Sequence, residues 1–301
     1  MEANFSNQQI GDFFIQEITR SRASIDMYRA TQTSLRRLVL FKVISLSIIS
    51  QTSHQSIEDF QVYIRSVITL EHLHLQPVYT FGVLDDKYLY VVGRMIAGSL
   101  ADLLDAGALP LEQTFKLALQ IASALSYVHS NGFVHKSISP QNIYIGEDEN
   151  AYVNDLELAP LVQAVSSLVE LQDVLGEPFY ASPEQLRLQP LDMRSDVYSF
   201  GAVLYHMVRG TPPFFDEDNS FGKVLERKLN SQLLPPRQLS PMISPQLELV
   251  ILRALRANPE ERFSDVSAME RELQAIFQGG SGEPVSLTSW LERLRRLFFR
   301  R

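Results

Sequence analysis

A chain of 301 residues with 45% hydrophobic content is long enough to bury a large core, and 15 prolines are too few to signal disorder. Its formal charge of −8 argues against broad nucleic-acid binding through net charge, leaving only a local basic patch, and nucleic acid is not an expected partner. The absence of cysteine excludes a disulfide framework, a thiolate metal site and a cysteine nucleophile, and is consistent with a reducing cytosol.

Residues 1–12 are polar and lack the basic flank and apolar stretch of a secretory signal, so 1–11 read as an N-terminal extension. The longest apolar run, 38–49, is interrupted by Lys42, Ser45 and Ser47 and is too short to span a bilayer. The first ninety or so residues read mainly as strands, with β-rich runs at 38–44 and at 88–92 after a turn at Asp85-Asp86. Between them Phe60, Ile64, Val67 and Ile68 fall at helical spacing, with Ser56 and Asp59 as an N-terminal cap. Beyond about Gly98 the pattern turns helical. A helix over 111–130 carries Phe115, Leu119, Ala122, Leu125 and Val128 and closes at Asn131-Gly132. Further helices are predicted over 196–209, closed by Gly210, over 245–256 and over 264–277. A Gly-Gly-Ser-Gly linker at 279–282 leads to a tail. Trp290, Leu291, Leu294, Leu297 and Phe298 line one helical face there, with Arg293, Arg296, Arg300 and Arg301 on the rest. Such a basic amphipathic helix suits a membrane surface or a partner groove.

Four segments share one order with a known family. His135-Lys-Ser-Ile-Ser-Pro-Gln-Asn142 resembles the catalytic loop H-R-D-L-K-P-x-N, and Asn154-Asp-Leu-Glu157 stands where D-F-G follows. Gly176-Glu-Pro-Phe-Tyr-Ala-Ser-Pro-Glu184 resembles the close of an activation segment, and Ser195-Asp-Val-Tyr-Ser-Phe-Gly201 the S-D-V-Y-S-F-G helix of the large lobe. With Arg262 in Asn258-Pro-Glu-Glu-Arg262, these make the chain resemble the eukaryotic-type (Hanks-type) serine/threonine protein kinases, in bacterial style, over roughly 14–277. The resemblance implies an α+β, bilobal fold. A small β-rich N-lobe with one helix would cover about 12–93, and a large, mainly α-helical C-lobe about 98–277, with 278–301 as linker and basic amphipathic helix.

The resemblance also exposes what is altered. The catalytic Asp is Ser137, a hydroxyl with no useful basicity near neutral pH, and the loop Lys is Ser139. The loop Arg is Lys136, which keeps the charge without the bidentate fork. Arg20, Arg22 and Ile25 fall where the three glycines of the phosphate loop belong, and Arg20 and Arg22 read as solvated loop charges, with a side-chain grip on phosphates as the alternative. Lys42 survives in a V-A-I-K-like run, but its helix partner, normally Glu, falls at Tyr63, which cannot form the ion pair. The metal-binding pair Asn142 and Asp155 is retained, next to Glu157 in place of the D-F-G glycine.

Base, loop lysine, glycine loop and ion pair are thus changed together. The expectation is a pseudokinase, not an enzyme, acting as a non-catalytic signalling scaffold or regulator of a protein partner such as an active kinase. Its cofactor would be none, or weakly bound Mg-ATP through Lys42, Asn142 and Asp155. The alternative is an ATP-binding sensor or a weak, atypical serine/threonine kinase using Asn142 and Asp155. The expected location is cytoplasmic, with 287–301 as a peripheral contact to the inner membrane face. Asp196 is expected to cap the catalytic-loop backbone, Glu184 and Arg262 to form a buried ion pair, and His135 to pack. His72 and His74 read as structural, Ser166 and Ser167 as exposed loop serines. The gatekeeper is Val92 or Gly93.

Overall fold

The computed structural model describes residues 4–22, 25–46, 57–96, 98–165, 167–175, 178–230, 233–238 and 240–279. The chain divides into two compact units. One gathers Met1–Glu71, Gln76–Ile96 and Pro160–Gly176, and the other His72–Leu75, Ala97–Ala159 and Glu177–Arg301.

The first unit is built on an antiparallel sheet of β1 (Gln9–Ile10), β2 (Phe13–Arg22), β3 (Ile25–Gln32), β4 (Arg37–Ser45), β5 (Val78–Leu84) and β6 (Tyr88–Arg94), in the order β1-β2-β3-β4-β6-β5. Strand β4 is buried without a break from Val39 to Ile44, which is why its sequence is apolar on both faces apart from Lys42. The β5–β6 hairpin turns at Asp85 and Asp86, at φ 53° and 55°, a left-handed pair that short acidic side chains tolerate. Helix α1 (Ile57–Ile68) buries Phe60, Ile64 and Val67 and packs against β5. The Ser56 half of its expected cap lies outside the described residues. The N-terminal extension is part of the fold. Phe5 and Ile10 join Phe13, Tyr28, Phe41 and Val92 in the core, with the Phe5 ring edge-on to Tyr88 at 5.1 Å. Strand β2 runs through Arg20 to Arg22, with Arg20 opposite Met27. Arg20 is half-buried on a strand and not on a loop, because residues with side chains continue the ladder where glycines would have opened it.

The second unit holds helices α2 (Leu111–Ser130), α3 (Met193–Arg209), α4 (Phe221–Leu229), α5 (Pro245–Ala254) and α6 (Val266–Gly279) and a small sheet of β7 (Gly98–Ser99), β8 (Ile143–Ile145) and β9 (Ala151–Val153), with α2 packed against β9. Helix α3 is buried on all sides, from Ser195 to Val208 apart from His206, as expected of a central helix. A Cβ at Gly201 would sit 2.6 Å from that of Ala254, so this glycine lets α3 and α5 approach closely. Gly210 ends α3 at φ 80°. The buried stripe of α2 is Leu117, Ala118, Ile121, Ala122, Ala124, Leu125 and Val128; Phe115 is half-buried and tilts onto Phe277 at 5.7 Å. Among the described residues no helix is long and apolar enough to cross a membrane. The tail over 287–301 lies outside the described residues.

Candidate active site

The site is organised by one buried carboxylate. Asp196, in the first turn of α3, accepts from His135 N–H and Lys136 N–H, each at 2.8 Å, and from His129 Nε2 at 2.8 Å. It caps the loop as its place in the sequence implied. Burial pushes its carboxyl up, but the His129 hydrogen bond, the charges of His129 and His135 and the His135 N–H hold it below its ordinary value. The loop backbone is bent as well as capped. Lys136 sits at φ 65°, a left-handed conformation rare for a residue with a Cβ. Burial lowers its ammonium pKa, partly offset by Asp196, and Gln185 Nε2 donates to its carbonyl.

His135 is fully buried, as expected of a packing residue. Its Nε2 lies 2.7 Å from Asn154 O, an acceptor only, so Nε2 carries the proton and donates. Its Nδ1 is left as the acceptor facing Ser137, with Oγ at 3.2 Å and N at 3.4 Å. Burial lowers the His135 pKa; Asp196, Asn154 O, Asp155 and Glu157 pull the other way.

The retained pair lies on adjoining segments of this loop. Asn142 is 2% exposed and donates through Nδ2 to Ser137 O at 2.8 Å, while its carbonyl accepts from Asn154 N–H at 2.9 Å. Asp155 is 1% exposed, stands at φ 69°, and accepts at Oδ1 from Asn154 Nδ2 at 2.9 Å. Glu157 is buried beside it. Ser139 accepts Asn142 N–H at its carbonyl at 3.0 Å, but its buried hydroxyl has no hydrogen-bond partner among the described residues. In the other unit Lys42 is buried on β4 opposite Val91 and Met27, and Tyr63 is half-buried on α1. Val92 is fully buried on β6 opposite Phe41, and a Cβ at Gly93 would meet Pro77 O at 3.0 Å.

Two supports tie the rest of this unit together. Glu184 and Arg262 pair in parallel at 2.7 and 2.8 Å, the ion pair expected from the sequence. Burial would raise Glu184, yet the hydrogen bond and charge of Arg262 hold it below its usual range. The second support was not foreseen. Lys228, on α4 and 2% exposed, donates from Nζ to Pro178 O at 3.0 Å, to Phe179 O at 2.9 Å and to Ala181 O. A lysine on an amphipathic helix carries no local mark of burial, so only three-dimensional contacts reveal it. Tyr180 in the same stretch stacks on His206 and bonds its Nδ1 at 2.8 Å. Ser167 is half-buried and caps the helix over Leu168–Leu175 by accepting Glu170 N–H at 3.2 Å, so it is no exposed loop serine; Ser166 lies outside the described residues. His72 Nε2 meets Ser123 Oγ at 3.2 Å and His74 Nδ1 meets Ala151 O at 3.1 Å, which accounts for both rings by hydrogen bonding.

Residues 23–274 match the family described as Protein kinase domain. The chain is 31% identical over 261 residues to serine/threonine-protein kinase pkn3 of Myxococcus xanthus, covering 83% of this chain and 47% of that protein. It is 30% identical over 259 residues to serine/threonine-protein kinase PknB of Mycobacterium leprae, covering 84% of this chain and 41% of that protein. A probable serine/threonine-protein kinase of Clostridium acetobutylicum matches at 30% over 258 residues, 83% of this chain and 37% of that protein. The chain therefore spans less than half the length of these curated relatives. Their names are those of enzymes, which overturns the expectation of a chain without catalytic activity. The physical reason is that phosphoryl transfer rests mainly on positioning and charge neutralisation, and the metal-binding residue types Asn142 and Asp155 are kept, so the replacements elsewhere do not by themselves show its loss.

Proposed function

The chain belongs to the protein kinase domain family, in its bacterial serine/threonine branch, and on that premise we propose a slow, atypical serine/threonine phosphotransferase that binds Mg-ATP. The observation that carries this reading is the Ser139 hydroxyl, buried and without a partner among the described residues. Leaving such a donor unsatisfied costs about 1–3 kcal/mol, a cost relieved when a phosphate oxygen accepts from it. Ser139 stands where the family places a lysine on the transferring phosphate, and it is joined through its carbonyl to Asn142.

The donor set fits the metal too. Asn142 donates through its amide nitrogen to Ser137 O, its oxygen is of a type that ligates Mg²⁺, and Asp155 supplies a carboxylate. One neutral and one anionic oxygen donor suit Mg²⁺, which takes few protein ligands and shares the rest with phosphates and water. When bound, the metal would neutralise charge on the phosphate oxygens. Asp196 and the left-handed Lys136 and Asp155 fix the loops that present these groups. Without an aspartate base the rate should fall by about 10²–10⁴-fold from that of an ordinary member.

A thermal-shift titration with ATP, with and without Mg²⁺, tests binding. At 100 times the dissociation constant the ligand adds about 2.7 kcal/mol of stability. A metal-dependent rise that Asp155→Ala removes, with slow transfer of label from ATP to serine or threonine peptides, is the expected result. No shift and no transfer at millimolar nucleotide would overturn the proposal.

A further inference from the structure

The hydroxyl that replaces the base is itself placed for chemistry. We infer that Ser137 is an acceptor of the γ-phosphoryl group of a nucleoside triphosphate within its own chain, with His135 as the base that takes its proton. The inference rests on the proposed binding of Mg-ATP at Asn142 and Asp155.

Three features carry it. First, the tautomer is fixed. His135 Nε2–H donates to Asn154 O at 2.7 Å, so Nδ1 presents its lone pair to Ser137 Oγ at 3.2 Å. A nucleophile within hydrogen-bond reach of a base, the base in turn oriented by a third group, is the arrangement that activates a serine. Secondly, the acceptor is tied to the metal-binding residue, because Asn142 Nδ2 holds the Ser137 carbonyl at 2.8 Å. Thirdly, Ser137 keeps 8% of its surface exposed while His135 keeps none, so an incoming phosphoryl group meets the hydroxyl and not the ring. The electrostatics agree. Burial favours neutral imidazole, which is the form able to accept a proton. The carboxylates of Asp196, Asp155 and Glu157 and the Asn154 carbonyl favour the cation that forms once it does.

The step balances. The Ser137 Oγ–P bond forms as the bond from the γ-phosphorus to the bridging oxygen breaks, and the nucleoside diphosphate leaves with that electron pair. The hydroxyl proton passes to His135 Nδ1 and then to an oxygen of the new phosphate, which exchanges it with solvent as the buried ring returns to its neutral form. The product is phosphoserine at 137, with no redox partner required.

The test uses the full chain, treated with phosphatase and then incubated with Mg-ATP, and read by intact mass and by mapping of fragments. Expected is one phosphate at Ser137 that appears at a rate independent of protein concentration. It should be absent with ADP and lost in Ser137→Ala. The ring nitrogens of His135, followed by NMR in the absence of nucleotide, should show protonated Nε2, with Nδ1 shifting in Ser137→Ala. Nucleotide-induced stabilisation measured on the same sample separates the two readings. Stabilisation without phosphate at Ser137, or labelling whose rate rises with protein concentration, overturns this inference and leaves nucleotide binding standing. No stabilisation and no label overturns both.

Discussion

Arg262→Met should be strongly destabilising in the helical unit, and the structure says by how much. All the guanidinium N–H groups are engaged. Nη1 reaches Glu184 Oε1 at 2.7 Å and Arg194 O at 2.9 Å. Nη2 reaches Glu184 Oε2 at 2.8 Å and Ala257 O at 3.0 Å, and Nε reaches Arg256 O at 2.8 Å. Its plane also lies 4.8 Å from the Tyr198 ring centre. Methionine fills much of the volume but leaves Glu184, 7% exposed, with the Ser195 hydroxyl at 2.8 Å as its remaining side-chain donor among the described residues. Removing one member of a buried pair costs about 3–5 kcal/mol. With a urea slope of about 2–3 kcal/mol per M, the midpoint should fall by roughly 1–2.5 M. The double change Arg262→Met with Glu184→Met removes the stranded charge and should recover part of the loss. It still orphans the carbonyls of Arg194, Arg256 and Ala257, so a deficit of about 1–3 kcal/mol should remain. Because Glu184 is held below its ordinary pKa, the pair's contribution is present above the unfolded carboxylate range. It is lost as pH falls through the lower folded value. Urea titrations of the three proteins at neutral pH decide the matter. A loss under about 1 kcal/mol in the single variant, or a double variant no more stable than the single, would refute the reasoning.

His206 supplies a pH prediction. Burial holds its imidazole at about 4 against an ordinary 6.5, so its contribution is complete above pH 6.5 and is lost as pH falls towards 4. That is about 3 kcal/mol, and the non-titrating His206→Gln should flatten the decline in melting temperature over this window; an unchanged decline would count against it. Lys228→Met should leave the carbonyls of Pro178, Phe179 and Ala181 without their donor and speed amide exchange across 178–181, with a loss of about 1–3 kcal/mol. Exchange as slow as in the parent protein would show that Lys228 does not hold this stretch.

What was legible in the sequence was what the chain writes locally. The 3.6-residue spacing of Phe60, Ile64 and Val67 placed α1, and Gly210 and Gly132 marked helix ends that the structure puts at φ 80° and 81°. The Asp196 cap and the Glu184–Arg262 pair were legible through family motifs, since their partners are 60 and 78 residues apart. Phe5 gave no periodic signal, and only the sheet it covers explains its burial. Helices over Ala159–Ala164 and Leu168–Leu175 fall where the motifs suggested only an activation loop. Lys228 and the Tyr180–His206 contact were illegible because their meaning lies in partners distant in sequence.

The changes at Ser137 and Ser139 weigh less than a motif comparison implies, and magnitudes show why. Enzymes accelerate their reactions by about 10⁶–10¹⁷-fold, and further still for the slowest phosphate chemistry. General-base help accounts for about 10²–10⁴ of that. The larger share comes from holding the reacting groups in line and stabilising charge, which depends on loop geometry. Here that geometry is kept by Asp196 beneath the loop, by left-handed Lys136 and Asp155, and by Asn142 joined to Ser137. A left-handed residue with a side chain is held only where its surroundings over-determine it, at a cost of about 1–3 kcal/mol each. In the reading proposed above, the Ser139 hydroxyl, buried and without a hydrogen-bond partner among the described residues, is the group that a phosphate oxygen on this loop would satisfy.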